Sequence, residues 1–346
     1  MKLAPYPDPA VDVVYLWVDG NDRHWRHKRK AASHAASAQD QQDLALYGDV
    51  EGRYRDNEEL RFSLRALTQF FPDHGHVYIV TDQQVPTWLA LSDRVSIVDH
   101  RDLIPHDALP TFDSSHIESY IHHIPGLSER FFYLNDDVFF GAPVQLDAWF
   151  SADGIYVAWS DDALVNTEPL RRDATSLENA CRLSEEWLRV QNTPDMDPRY
   201  AHTPRTFAHS PRPLRKSLLT ALEQLAPELF ERVRSTVFRS WDCPTLVSDF
   251  VLRWALAHGI AQVRDYRHAY VSIGDGDAGE QLSRLASHFG ELDFFCVNDT
   301  ADNALADDPR LTSVRRALQA MLPQASPFEM VHPGIEALQH PALATQ

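Results

Sequence analysis

Asp12-Val-Val-Tyr-Leu-Trp-Val18, stopped at once by Asp19-Gly20-Asn21-Asp22, is the stretch on which the fold turns. Its apolar run is unbroken and does not alternate. A strand covered on both faces reads that way, as in a parallel sheet. Four further runs share the form: His76–Val80, Arg94–Val98, Arg130–Leu134 and Gly154–Trp159. Each is followed within two residues by Asp or Asn. Between the first two runs, Leu60, Leu64, Leu67 and Phe71 recur at helical spacing and predict an amphipathic helix over Asp56–Phe71. Strand, helix and strand in that order imply a right-handed βαβ layout. The fold class is therefore α/β, a Rossmann-like mostly parallel sheet core. One Asp after a strand is an ordinary turn residue. Five acidic strand ends together suggest a site, because open α/β sheets bind ligands beyond the carboxyl ends of their strands.

Beyond residue 160 the pattern changes. Residues 163–200 are polar and loosely helical. Pro213–Phe230 carries Leu214, Leu218, Leu222 and Leu225, and Thr245–His258 carries Leu246, Phe250, Val251 and Trp254; each predicts a helix. Four units follow: an α/β core at 1–160, a helical subdomain carrying a basic segment at 161–260, a return to the core at 261–300, and a C-terminal helix and tail at 301–346. A short helix is expected over Leu311–Met321.

The 346 residues carry 32 Lys+Arg against 50 Asp+Glu, a formal charge of −18. An acidic surface opposes general nucleic-acid binding. The charge is uneven, however. Residues 199–239 hold eight basic and three acidic side chains, so this segment is +5 and the remainder −23. Such a segment is either a solvated basic face or a phosphate clamp. The 3 cysteines form no C-x-x-C pair, which suits a reducing compartment. Met1–Pro9 lacks an apolar core, so no secretory signal is expected, and no apolar run is long enough to span a membrane.

Asp136-Asp137 follow one predicted strand and suit a divalent cation bridged to phosphates, although an extended chain would aim only one of them at the metal. Ser115-x-x-Glu118 fits a capping box, and by spacing alone Glu118 is a cap; the functional alternative is a general base, with His122 on the same face. Gly274-x-Gly276-x-x-Gly279 matches a dinucleotide fingerprint, but its two aspartates and the missing βαβ context favour an acidic loop. The motifs of zincins, P-loop kinases, α/β-hydrolases and zinc deaminases are lacking.

Asp12–Asp22, Arg55–Arg65, and the block from Leu109 through Ser115–His123 to Phe132–Gly141 resemble the Stealth family. These are sugar-1-phosphate transferases of bacterial capsule synthesis, similar to the catalytic subunits of animal N-acetylglucosamine-1-phosphotransferase. The resemblance covers the family's four regions, at about 11–22, 55–145, 205–258 and 294–299. It implies an acceptor hydroxyl attacking the β-phosphate of a nucleotide-sugar, a Rossmann-like core and a divalent metal. By position, Glu118 and Asp137 match the family's essential acids, His209 and Arg239 its essential His and Arg, and Asn298-Asp299 its short fourth region. Leu16 stands where Thr is expected and Asp19 where Asn is usual. Arg212 replaces a second His of some relatives. These departures bear on donor specificity.

The expected activity is transfer of a sugar-1-phosphate from a nucleotide-sugar, of UDP-N-acetylhexosamine type, to a saccharide hydroxyl in capsular or cell-surface polysaccharide synthesis. Glu118, His209 and Arg239 are the catalytic candidates, with the base open between Glu118 and His209. Asp19, Gly20, Asn21, Asp22, Arg212, Asn298 and Asp299 are expected to bind the donor, and Asp136 and Asp137 to hold Mg²⁺ or Mn²⁺. The expected partners are the nucleotide-sugar donor, the saccharide acceptor and a polysaccharide-assembly complex bound peripherally, at the cytoplasmic face of a bacterial membrane. The alternatives are a glycosyltransferase that releases nucleoside diphosphate, and a carbohydrate-binding protein without turnover.

Overall fold

The computed structural model describes residues 10–36, 43–166, 169–191, 196–305 and 307–330. Their strands are β1 (Asp12–Leu16), β2 (Val77–Thr81), β3 (Val95–Asp99), β4 (Arg130–Asn135), β5 (Val138–Phe140), β6 (Ile155–Val157), β7 (Arg212–Arg215), β8 (Ala261–Val263), β9 (His268–Ser272) and β10 (Phe294–Asn298). A central five-stranded sheet runs in the order β3-β2-β1-β4-β7. β3, β2, β1 and β4 are parallel, and β7 closes the edge antiparallel to β4. Every residue of β1 and β2 is buried, which is why their sequences are apolar without alternation.

Four helices bear on the functional site: α1 (Arg23–Ala35), α2 (Glu59–Phe70), α3 (Ser114–Glu118) and α4 (Ser176–Gln191). α2 lies where the apolar spacing predicts, with Leu60, Leu64 and Leu67 fully buried. Each such leucine stabilises the fold by about 1.5–3 kcal/mol. A second sheet has the order β5-β10-β9, and its Phe139 and Phe295 rings stack at 4.7 Å. The chain leaves β4 for β5 through a turn at Asp136-Asp137, crossing there from the central sheet to the second one.

Two expectations need correction. The Gly154–Trp159 run contributes β6, which pairs with β8 in a separate two-stranded sheet and does not join the central one. Pro213–Phe230 is not one helix: its start is β7, and helices at Lys216–Leu225 and Pro227–Arg234 meet at Ala226. Proline explains both breaks. Pro213 lies on an edge strand, where a missing N–H is tolerated, and Pro227 occupies the first turn of a new helix. Within the loosely helical stretch 163–200, Ser176–Gln191 forms a regular helix of 16 residues, α4. Thr175 and Glu178 open it with reciprocal side-chain-to-backbone bonds of 2.8 and 3.2 Å. That capping box was legible in the sequence.

Thr245–His258 does form helix, a wide turn at Leu246–Phe250 running into α5 (Val251–Ala257). The C-terminal helix spans Pro309–Met321. Among the described residues no helix is long and apolar enough to cross a membrane.

Candidate active site

A cavity of about 720 Å³ opens at the carboxyl ends of β1 and β4, where the two larger sheets meet. Asp136, Asp137, His209, Arg53, Arg239 and Tyr270 are among its wall residues. A neighbouring cavity of about 910 Å³ beside α1 shares Asp82, His100 and Thr111 with it; Lys28, Asp43, Arg101 and His106 also line that cavity, but none of the expected site residues does.

One wall is acidic. The Asp136-Asp137 turn brings both carboxylates to the cavity, whereas an extended chain would have presented one. Burial, and then Glu59, Asp137 and Asp56, drive the Asp136 carboxyl far above the usual range. Burial also pushes Glu59 up to about 8, with Asp56 adding like-charge repulsion, and Asp56 itself up to about 6. Asp137 Oδ2 accepts the Cys296 S–H at 3.4 Å, while its Oδ1 is buried without a hydrogen-bond partner. Asp137, His209 and Cys296 offer ligand atoms within 4.8 Å of one another. Crowded acids with an unmatched oxygen fit a hard divalent cation such as Mg²⁺ or Mn²⁺. Asp136 and Asp137 would hold it, with His209 in reach.

The opposite charge comes from Arg53 and Arg239. They lie close enough for each to matter to the other: after burial, Arg239 is the chief cause that lowers the Arg53 pKa. Arg239 Nε is 3.4 Å from Asp113 Oδ1, and its Nη2 donates to Ser114 Oγ. Arg53 Nε is buried and has no partner. Two neighbouring guanidiniums with a donor to spare form an anion site.

Between the walls runs a hydrogen-bonded row. Glu118 Oε1 lies 2.9 Å from the Tyr133 hydroxyl, Tyr133 2.6 Å from Asn135 Oδ1, and Asn135 Nδ2 2.8 Å from His209 Nε2. Burial raises the Glu118 carboxyl to about 7, against the pull of Arg239. Burial lowers the His209 pKa, Asp137 opposing.

The structure distributes the expected site residues unevenly. Asp136, Asp137, His209, Arg239, Asn298 and Asp299 line the cavity. Glu118 is 2% exposed and stands behind the wall. It is not a helix cap: Asp113 caps α3, accepting from Ser115 N at 3.1 Å. Arg212, 4% exposed on β7, is also behind the wall and donates to Ala208 O at 3.2 Å. His122 is turned to Glu223 at 2.8 Å, outside the site.

The loop Asp19, Gly20, Asn21, Asp22 does not line the cavity; Trp17 and Val18 do. Asp22 caps α1 by accepting from Trp25 N at 2.8 Å. Gly20 N donates to Tyr54 O at 2.7 Å, and a Cβ at Gly20 would meet that oxygen at 2.3 Å. The close approach locks this loop to the turn carrying Arg53. Asp299 ties the same turn from the other side through an ion pair with Arg55 and a 3.2 Å bond from Asn57 Nδ2.

Of the eight Lys and Arg side chains in segment 199–239, Arg239 alone reaches the cavity wall. Arg199 pairs with Asp197, Arg205 donates to Ser160 O, Arg215 to Ser151 O, Arg232 pairs with Asp242 and Arg234 with Glu223. The collective clamp is thus corrected to Arg239 plus Arg53, which charge counting over 199–239 misses. The 274–279 glycines make no cradle either. A Cβ at Gly276 or Gly279 would meet nothing within 4 Å.

The raised acids have a measurable consequence. Glu118 and Glu59 are almost fully buried, and their folded-state pKa values lie above the ordinary 4.5. Their contribution to stability is complete below about 4.5 and is lost as pH rises through 7 and 8. Histidines held low by burial, such as His74 and His202 at about 4, act in the opposite sense only below about 6.5. Between pH 6.5 and 8 the metal-free protein should therefore lose stability on the order of 2 kcal/mol. Scanning fluorimetry across that range should show a falling melting temperature, and millimolar Mn²⁺ at pH 8 should raise it again. A flat profile would remove the acid cluster from the account.

Two family models match the chain: Stealth protein CR1, conserved region 1, over residues 9–36, and Stealth protein CR2, conserved region 2, over residues 53–158. An exopolysaccharide phosphotransferase of Streptomyces coelicolor is 35% identical over 327 residues, covering 92% of this chain and 33% of that protein. Another from the same organism is 35% identical over 329 residues, covering 92% and 52%. The exopolysaccharide phosphotransferase CpsY of Mycobacterium tuberculosis is 33% identical over 326 residues, covering 93% and 58%. The chain thus spans between 33% and 58% of the length of these curated relatives.

Proposed function

Through its conserved regions 1 and 2 this chain belongs to the Stealth family, and from that premise we propose that it transfers a sugar-1-phosphate from a nucleotide-sugar to a saccharide hydroxyl. The observation that carries this reading is the division of charge in one cavity. Half-buried Asp136 and Asp137 face it together with Arg53 and Arg239, and His209 lies within the field of both sets. A diphosphate bridged to a cation needs both signs at once. The relatives' printed activity, exopolysaccharide phosphotransferase, supports polysaccharide synthesis as the setting.

In the reaction the acceptor oxygen bonds to the β-phosphorus, and the bond from that phosphorus to the α–β bridging oxygen breaks. Nucleoside monophosphate leaves with the electron pair. Mg²⁺ or Mn²⁺ at Asp136 and Asp137 would supply charge neutralisation on the diphosphate. Arg239 and Arg53 orient the transferring phosphoryl group and stabilise the charge on its oxygens, an electrostatic contribution that grows where water is excluded. His209 takes the acceptor proton, because it reaches the cavity and Glu118 does not. Tyr270, 47% exposed on the cavity wall, offers an aromatic ring on which a base can stack.

The released nucleotide tests the reading. Incubating the chain with a panel of UDP-, GDP- and CDP-sugars, Mn²⁺ and saccharide acceptors should yield monophosphate from at least one donor. Diphosphate as the product would replace this reading with glycosyl transfer to the anomeric carbon. Arg53→Ala should weaken donor binding about 10- to 100-fold, the loss of one charge-assisted contact of about 1.5–3 kcal/mol. Calorimetry with the donor and Mn²⁺ measures it, and unchanged affinity would take Arg53 out of the anion site.

A further inference from the structure

The row from Glu118 to His209 contains a proton-counting problem. Tyr133 has one hydroxyl hydrogen, yet its oxygen lies within bonding distance of Glu118 Oε1 and Asn135 Oδ1, both acceptors when Glu118 is ionised. Two arrangements satisfy every member. In the first, Glu118 is protonated and donates to Tyr133, which donates to Asn135 Oδ1; the amide NH₂ donates to His209 Nε2, and the ring proton sits on Nδ1. In the second, Glu118 is ionised and accepts from Tyr133. The Asn135 amide is turned end for end, a reversal that leaves its shape unchanged. Its NH₂ then donates to Tyr133, its oxygen accepts from Nε2–H, and Nδ1 keeps a lone pair. With any Glu118 proton on Oε1, the oxygen that meets Tyr133, a mixture sets donor against donor, leaves lone pairs facing each other or strands the tyrosine hydrogen.

Resting on the phosphotransfer reading, we propose that Tyr133 and Asn135 are positioning residues that couple Glu118 to the His209 ring and hold it in a single tautomer, with Nε2 protonated and Nδ1 free as the base. Three observations support the second arrangement. Nε2 is already engaged by Asn135 at 2.8 Å, and among the described residues no hydrogen bond to Nδ1 is found. Burial raises the Glu118 carboxyl to about 7, but Arg239, the Tyr133 hydroxyl and Arg212 all favour its charged form, which it takes above that pH. The row is shielded as well: Glu118 and Tyr133 are each only 2% exposed, so water does not readily replace a missing partner. The proposal also gives a buried carboxylate that never meets the cavity a reason to matter to the reaction.

The test reads the histidine ring directly. Long-range ¹H–¹⁵N spectra of the full chain, with His209 assigned by comparison with His209→Gln, report which ring nitrogen carries the proton. The unmodified chain at pH 8.5, well above the Glu118 value, should show Nε2–H alone. Tyr133→Phe cuts the row and should give mixed tautomers, with a fall of about tenfold or more in kcat and an unchanged donor KM. Glu118→Ala should give the same mixture, whereas Glu118→Gln, which can still accept the tyrosine proton, should keep Nε2–H. A His209 tautomer unchanged in both Tyr133→Phe and Glu118→Ala would overturn the proposal, as would Nδ1–H in the unmodified chain. The spectra are taken on resting protein, so this result is independent of which nucleotide the reaction releases.

Discussion

Asp137→Asn is expected to lower sugar-phosphate transfer by on the order of 10³-fold or more while leaving the fold intact. The substitution preserves size and the turn between β4 and β5, and the amide can still meet the Cys296 thiol. What it removes is negative charge at a cavity-lining position where a buried carboxylate oxygen lacks a partner. Because Asp137 is a cause of the raised Asp136 pKa, the metal-free variant should melt at the same temperature as the parent or higher. Its Mn²⁺-induced stabilisation should disappear. Those two thermal readouts separate loss of a ligand from misfolding. Normal turnover together with an undiminished Mn²⁺ response would assign the cation elsewhere.

The largest expected effect on stability lies outside the cavity. Arg253 is fully buried on α5 and pairs with Asp249 one turn earlier, at 2.9 Å. It also donates to Thr203 O at 2.9 Å and to Arg205 O, and Ser184 on α4 bonds Asp249 at 2.7 Å. This pair fixes the segment that leads into His209. Arg253→Met should cost about 3–5 kcal/mol, since it strands the Asp249 carboxylate and two carbonyl oxygens. Combining it with Asp249→Leu should recover much of the loss, because the uncompensated charge is gone. Urea denaturation of the two variants measures the difference. If the single variant cost less than about 1 kcal/mol, well under the cost of a broken buried pair, the ion pair would not be what holds the 203–205 segment.

Much of this fold is written in local sequence. β1 and β2 are legible because strands covered on both faces carry unbroken apolar runs, and α2 because its leucines recur at helical spacing. The Asp136-Asp137 turn is legible as a pair of acids ending a strand. Pairing of distant segments is not. The sequence of β6 resembles a core strand, yet it pairs with β8, far along the chain. The site divides in the same way. His209 and Arg239 carry no local signal beyond family resemblance, and their arrival at the cavity depends on β7 pairing with β4 and on the loops that follow. Net charge over 199–239 misleads, because most of those arginines satisfy nearby acids and carbonyls. Arg53 escapes notice because nothing in its immediate sequence says that it meets Arg239. Glu118 and Arg212 show the limit of position-by-position transfer, which identifies residues without saying whether they touch the cavity.

The central claim is that phosphorus moves with the sugar, and ³¹P NMR of the reaction follows that atom directly. With the nucleotide-sugar that supports turnover, Mg²⁺ and a saccharide acceptor, the donor's β-phosphorus resonance should give way to a phosphodiester resonance on the acceptor, in step with nucleoside monophosphate. An elongated acceptor that carries no phosphorus, with both donor phosphates recovered as nucleoside diphosphate, would contradict it.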